Sequence, residues 1–319
     1  MEIKIRRFTA PIAASGRLIL TATLSLLCAA WQPGLAQPVA KSAPAAQPAP
    51  PAGSVGGMGD VNIYPKRVVI DQKQRVASIG LFNRAAAQGD YDITITDMMM
   101  TPEGRLVDMG TVTDPAQRAT VRTASSLLRW SPHRVTLGPY DSQTVRLMAR
   151  VSPDLPAGEY RSHFTAVAIP RTGTGGLTIE QASGAQQPSS IGVTIVPRFG
   201  ISIPVIVRVG ETTLTAGLRD LAVIALPDGK QAILLTITRE GNRSAFGDIA
   251  VTVTGTKTKL AEIRGIGVYP EVSQRSVQIP LDPAAGRGAA ARGSSLTVTY
   301  TDDDFAPGKI LAKQDFIVP

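Results

Sequence analysis

The stretch IGVTIVPRFGISIPVIVR, Ile191–Arg208, decides the fold. Its odd positions are all apolar: Ile191, Val193, Ile195, Pro197, Phe199, Ile201, Ile203, Val205 and Val207. Its even positions include Gly192, Thr194, Arg198, Gly200, Ser202 and Arg208. A period of two puts one apolar face on an extended chain, which is the signature of a strand. As a single strand it would run roughly 60 Å at about 3.3 Å per residue, several times the ordinary length. Pro197 and Pro204 oppose that reading, because each removes a backbone donor. Their opposite parity turns the missing N–H groups toward opposite edges. Either at least one edge is therefore unpaired, or the run is broken by a bulge at Phe199–Gly200. The pattern divides the stretch into Ile191–Ile195 as an edge and Ile201–Val207 as a connection into a second domain. A long apolar edge is an aggregation hazard unless something is meant to pair with it.

On either side the chain repeats this strand pattern in short pieces. Upstream lie Val61–Ile70, kinked at Tyr64-Pro65, then Val76–Asn83, Tyr91–Asp97, Leu128–Leu137, Thr144–Val151 and Tyr160–Ile169. Ile79 and Leu81, then Val145, Leu147 and Ala149, are the expected inward sets. Residues 101–126 are polar and weakly patterned and read as an irregular connection, and residues 171–190 (RTGTGGLTIEQASGAQQPSS) read as a long loop. Downstream, Asp220–Leu226 and Gln231–Thr238 flank the turn Pro227-Asp228-Gly229-Lys230. Asp248–Thr254, Leu260–Val268, Arg275–Leu281, Ser295–Thr301 and Lys309–Ile317 continue the series. No stretch carries a helical period. The expected fold is all-β: two immunoglobulin-like β-sandwich domains in tandem, residues 60–208 and 209–319.

The N-terminus reads as an export signal. Lys4, Arg6, Arg7 and Arg17 precede the apolar run Leu18–Ala30, and Gly34-Leu35-Ala36 offers small residues for cleavage, which makes residues 1–36 the signal. The run is shorter than the roughly twenty residues of a membrane helix, so no span is expected after cleavage. The one cysteine, Cys28, lies inside this signal. The exported chain would therefore stand in an oxidising compartment without disulfides, held by its cores alone. Residues 37–59 form a Pro/Ala/Gly-rich leader.

The formal charge of +8 includes the basic residues of the signal, and the remaining Lys and Arg are scattered. Without a basic stripe interleaved with aromatics, nucleic acid is not an expected partner. Catalytic patterns are equally thin. His133 and His163, the 2 histidines, have no cysteine near them, so no metal site is expected. Strand alternation turns Ser162 and His163 to opposite faces, away from any nucleophile–base pairing. Gly173-Thr-Gly-Gly176 opens no helix and does not read as a dinucleotide fingerprint. Asp302-Asp303-Asp304 has the chemistry of a calcium site but reads as a solvated hairpin end. Met98–Met100 reads as packing, and Asn83 as a hydrogen-bonding member of a corner. The expectation is a binding protein without cofactor or enzymatic activity.

One set of spaced motifs is more specific. Leu137-Gly-Pro, Gln143-Thr-Val-Arg-Leu147, Leu155-Pro-Ala-Gly-Glu-Tyr-Arg-Ser-His-Phe164 and Ile169-Pro170 occur in an order that resembles the periplasmic chaperones of the chaperone–usher pilus pathway. The resemblance covers roughly residues 61–208. It implies a periplasmic protein that caps pilus or fimbrial subunits by donor-strand complementation and delivers them to an outer-membrane usher. It also implies site residues. The family's basic grip on the subunit's terminal carboxylate falls on Arg67 in YPKRVVID, and an arginine fork suits a carboxylate through paired hydrogen bonds. The family's alternating donor aliphatics fall on Ile191, Val193 and Ile195. Its second anchor, a lysine, falls on Ser202, which leaves Arg198 or another basic residue to replace it. Arg198 shares the Ser202 face but lies about 13 Å away along a strand.

Composition alone reads Arg67 equally as a solvated strand residue, and Val193 and Ile195 as burial in their own sandwich. Two other functions remain beside the chaperone. One is a secreted immunoglobulin-like structural or appendage component, which would call for an alternating N-terminal extension where residues 37–59 are proline-rich. The other is a chaperone-like binding protein with a non-pilus client.

Overall fold

The computed structural model of the chain describes residues 50, 54–56, 59–170, 177–178, 194–195, 197–282 and 290–319. The export-signal reading of residues 1–36 and most of the leader lie outside the described residues, as do Ile191 and Val193. The first group of strands is β1 (Val55–Gly56), β2 (Val61–Tyr64), β3 (Val68–Ile70), β4 (Val76–Asn83), β5 (Gly89–Thr96), β6 (Met98–Met100) and β7 (Leu106–Asp108). Next come β8 (Leu128–Ser131), β9 (Arg134–Leu137), β10 (Ser142–Ala149), β11 (Gly158–Ala168), β12 (Leu177–Thr178), β13 (Thr194–Ile195) and β14 (Gly200–Val209). The last group is β15 (Leu214–Ala225), β16 (Gln231–Gly241), β17 (Ala245–Val253), β18 (Lys259–Val268), β19 (Gln274–Pro280), β20 (Ser295–Asp302) and β21 (Ile310–Ile317).

These strands make two sandwiches. In the first, a sheet of order β1-β2-β4-β10-β8 faces a sheet of order β3-β14-β11-β5-β9. Their inner faces share one core, in which Ile79, Leu81, Val145, Leu147, Phe164 and Ile203 are almost fully buried. The alternation in β10 is the expected one: Val145, Leu147 and Ala149 point inward and the residues between them are exposed. In the second sandwich, β15-β16-β19 faces β18-β17-β20-β21 around Ile233, Leu235, Ile249, Val298 and Tyr300. The all-β expectation holds. Among the described residues, no helix is long and apolar enough to cross a membrane.

Five local expectations change. Val61–Ile70 is two strands in different sheets rather than one kinked strand, since the chain crosses the first sandwich between Tyr64 and Val68. Residues 101–126 are less irregular than expected, because β7 pairs with β6 and a short helix, α1 (Pro115–Thr120), is present. At six residues, α1 is too short to show a period. Its local signal was Asp114-Pro115, where the Asp114 side chain accepts from the Ala116 N–H and proline takes a first-turn position. Within the expected 171–190 loop, Leu177–Thr178 pairs with Thr194–Ile195 in a two-stranded ribbon. Ile201–Val207 is not a connection. It is the body of β14, antiparallel to β11 along its length and parallel to β3 from Val205 to Val207. Finally, Asp302–Asp304 is no solvated hairpin end, because its carboxylates are taken up by a turn and by basic side chains of the first sandwich.

Asn83 does build a corner. It is fully buried, its Nδ2 donates to Ala87 O (2.7 Å) and Gly138 O (2.9 Å), and its Oδ1 accepts from the Ala85 N–H. The Pro227–Lys230 turn also forms as expected, with Ala225 opposite Gln231 and Gly229 at φ 79°.

Candidate functional site

The site begins with the outer face of β11. Tyr160, Phe164 and Ala166 point into the first core, whereas Glu159, Arg161 and His163 share the other face and are equally buried. Three ionisable residues at the same parity of a strand buried on both sides require a second body against that outer face. The second sandwich is that body. Met100, Ile206, Phe246 and Tyr269 form a small apolar cluster across the seam.

Around it lies a set of charge pairs that join residues distant in sequence. Arg208 reaches Glu159 at 3.3 Å and also pairs with Asp304, while Glu159 accepts hydrogen bonds from the Ser244 hydroxyl and N–H. The Glu159 side chain has no exposed surface. Burial pushes its carboxyl above the usual range, against the pull of Arg208 and Ser244. A second pair, Arg161–Glu271 at 2.6 Å, is nearly as buried, with Arg161 stacked 3.5 Å over Tyr269. Glu271 also accepts from the Met100 N–H at 2.8 Å. His163 has no hydrogen-bond partner on either ring nitrogen, and burial followed by the Arg161 charge pulls its pKa down to about 3.

Arg67 sits on this seam. Its Nη2 donates to the Asp303 carboxylate (2.9 Å) and carbonyl (3.1 Å), and its guanidinium lies 4.1 Å over Phe246. Lys66, half exposed, also reaches Asp303 at 2.7 Å. Burial pushes the Asp303 carboxyl up, but the Lys66 hydrogen bond and the Arg67 charge outweigh it and hold the group below its usual range. Asp302 is itself buried, its carboxylate accepting the N–H groups of Asp304, Phe305 and Ala306. The Asp302–Asp304 run is thus a cross-sandwich clamp, and its three carboxylates are occupied by a turn and by cations.

Beside Arg67 opens a cleft of about 420 Å³. Its charged lining is all basic: Lys66, Arg67, Arg264 and Arg275. Met100, Leu106, Pro204, Phe246 and Tyr269 supply apolar walls. Pro204 ties the cleft to β14, and the two halves of that strand differ. From Val205 to Val207 it has β3 on one side and β11 on the other. From Gly200 to Pro204 it pairs with β11 alone, so its other edge has no strand partner among the described residues. Ile201 and Ile203 still point into the core, and Ser202 joins Thr165 and Thr96 in a hydroxyl ladder of 3.0 Å steps. Phe199, at the start of the open edge, is exposed.

The other expected residues do not converge on this cleft. Arg198 is exposed, 3.7 Å from Asp92, at the far end of β14. The run from Arg198 to Val205, beside which Val68 and thus Arg67 lie, spans roughly 23 Å at about 3.3 Å per residue. Ile195 lies in β13, opposite Leu177. The cross-seam partners Glu159, Glu271, Asp303 and Asp304 escaped the sequence reading. The parity of Glu159, Arg161 and His163 was the available signal.

No family model and no curated protein matches the chain. Among solved structures it is similar to the YadV chaperone at 12% identity and a TM-score of 0.41, over 81% of this chain and 100% of that one. It is similar to the CupB2 chaperone of Pseudomonas aeruginosa at 11% identity and a TM-score of 0.39, over 79% and 97% of the two chains. A chain of the Salmonella enterica complex of SafA pilin with the SafB chaperone aligns at 11% identity and a TM-score of 0.39, over 83% and 99%. Likenesses at this level carry no conclusion about what the protein binds.

Proposed function

We propose that the protein is a periplasmic assembly chaperone that caps incomplete immunoglobulin-like pilus or fimbrial subunits and passes them to an outer-membrane usher. The observation that carries this reading is the half-open edge of β14, which ends at a basic cleft. A client strand seated on Gly200–Pro204 with its terminal carboxylate in the cleft runs parallel to β14, in the direction that β3 continues. Main-chain hydrogen bonds would supply the pairing. Alternate aliphatic side chains, Ile191, Val193 and Ile195 in the preceding segment, would fill the client's groove, each contributing roughly 1.5–3 kcal/mol when fully buried. Arg67 is the proposed first contact for the carboxylate. Two of its nitrogens face Asp303 and Asp304, and Nη1 has no hydrogen-bond partner among the described residues. The motif order of residues 137–170 and the export-signal pattern support the same reading. Strand exchange needs no nucleotide.

Co-expression with candidate exported subunits tests this. Arg67→Ala and the double variant Val193→Asp/Ile195→Asp, each verified as folded by thermal melting, are expected to recover at least tenfold less client than wild type. Recovery equal to wild type by both variants would overturn the proposal.

A further inference from the structure

Within the Pro/Ala/Gly-rich leader, β1 pairs antiparallel with β2, Val55 opposite Ile63 and Gly56 opposite Asn62. Val55 packs against the first core, and the Asn62 Nδ2 donates to the Ser54 hydroxyl at 3.2 Å. A Cβ at Gly56 would stand 2.5 Å from Asn62 Oδ1, so glycine lets this strand close over the amide. The leader thus adds an edge strand to the sheet β1-β2-β4-β10-β8, the one that does not meet the second sandwich.

A pocket of about 130 Å³ opens on the outer face of that sheet. Ile79 and Leu81 point into the core, so Gly80 faces outward, between Tyr64 and Thr144 in the pairing. A Cβ at Gly80 would meet only the Tyr64 carbonyl oxygen within 4 Å, at 3.8 Å, and its absence leaves the hollow. Asn62, Phe82 and Ser142 form the next row, and the leader contributes Ser54. Asn62 and Phe82 are buried, whereas Tyr64 is 48% exposed and stands at the rim.

We propose that this pocket binds a single neutral pyranose ring, a role separate from subunit capping. The ligand class comes from the lining, which holds no carboxylate, lysine, arginine or histidine and so offers nothing to an ion. It holds the hydroxyls of Ser54, Ser142 and Thr144 and the Asn62 amide beside the rings of Tyr64 and Phe82. Asn62 Oδ1 is buried with no hydrogen-bond partner among the described residues. An unpaired buried acceptor is unfavourable, and a ligand hydroxyl relieves that cost. The size agrees, since a cavity of about 150 Å³ accepts one benzene ring. A pyranose offers both a hydrocarbon face for the aromatic rings and hydroxyls for the polar set, which a plain hydrocarbon ring does not.

Calorimetric titration of the full exported chain with methyl β-D-glucopyranoside tests the assignment, with cyclohexylmethanol as a ring of the same size bearing one hydroxyl. The glycoside is expected to bind saturably and the alcohol at least tenfold more weakly. Gly80→Val fills the hollow with a residue that suits a strand and should weaken glycoside binding at least tenfold. Asn62→Leu removes the unpaired acceptor at similar volume and should weaken it at least fivefold. Thermal melting verifies that each variant is folded, and the two act by different routes, so a folding defect in one leaves the other decisive. Absence of saturable glycoside binding, equal binding of the alcohol, or wild-type binding by either folded variant would each overturn the proposal.

Discussion

The two halves of β14 have the same alternation and opposite surroundings. Val205–Val207 lies between β3 and β11, and the outward-facing Ile206 and Arg208 of this end are buried by the second sandwich. Gly200–Pro204 has the same inner face, Ile201 and Ile203, but one edge lacks a strand among the described residues and the outward Ser202 and Pro204 are only partly covered. What differs is whether the neighbours complete the backbone pairing. An apolar strand left half paired is a hazard in a protein built only to persist, and a natural attachment point in one built to receive another strand.

The sharpest way to break this contrast is to attack the sealed half. Arg208→Ala leaves Glu159 buried without its cation, and removing one partner of a buried pair costs about 3–5 kcal/mol. Urea unfolding should show a loss of that order. A loss below about 1 kcal/mol would mean that the seam is not sealed by this pair.

Acid probes the same half through His163. Its folded pKa of about 3 lies below the 6.5 of a free imidazole. Between those values the unfolded chain takes up a proton that the folded chain does not. Stability from this group is therefore fully present above pH 6.5 and falls as pH drops toward 3, by up to about 1.4 kcal/mol per unit. Urea midpoints of wild type and His163→Gln, compared at pH 7 and pH 5, should converge as pH falls. Parallel curves would place the histidine in a wetter setting.

The open half predicts the smallest change in stability. Phe199→Ser alters a side chain that is 38% exposed and should cost less stability than Arg208→Ala. It should nevertheless lower the yield of captured subunit several-fold in co-purification. A variant that loses stability but keeps full capture would reverse the assignment of the two halves.

Much of this was legible in the chain itself. Alternation located most strands and Asn83 announced its corner, but Pro197 lies outside β14, so the parity of the two prolines does not account for the open edge. The seam was not legible, because its contacts join residues as remote as Arg67 and Asp303, and a run of aspartates looks the same in water or under a cation. The helix at Pro115–Thr120 was hidden by its brevity, with only its cap to mark it.

The central claim is that the N-terminal half of β14 is a pairing edge for another chain. Amide hydrogen exchange resolved along β14, with and without a bound exported subunit, addresses it directly. Protection is predicted to rise across Gly200–Ile203 on binding while Val205–Val209 stays as protected as before. Unchanged exchange across Gly200–Ile203 in a complex that has demonstrably formed would contradict it.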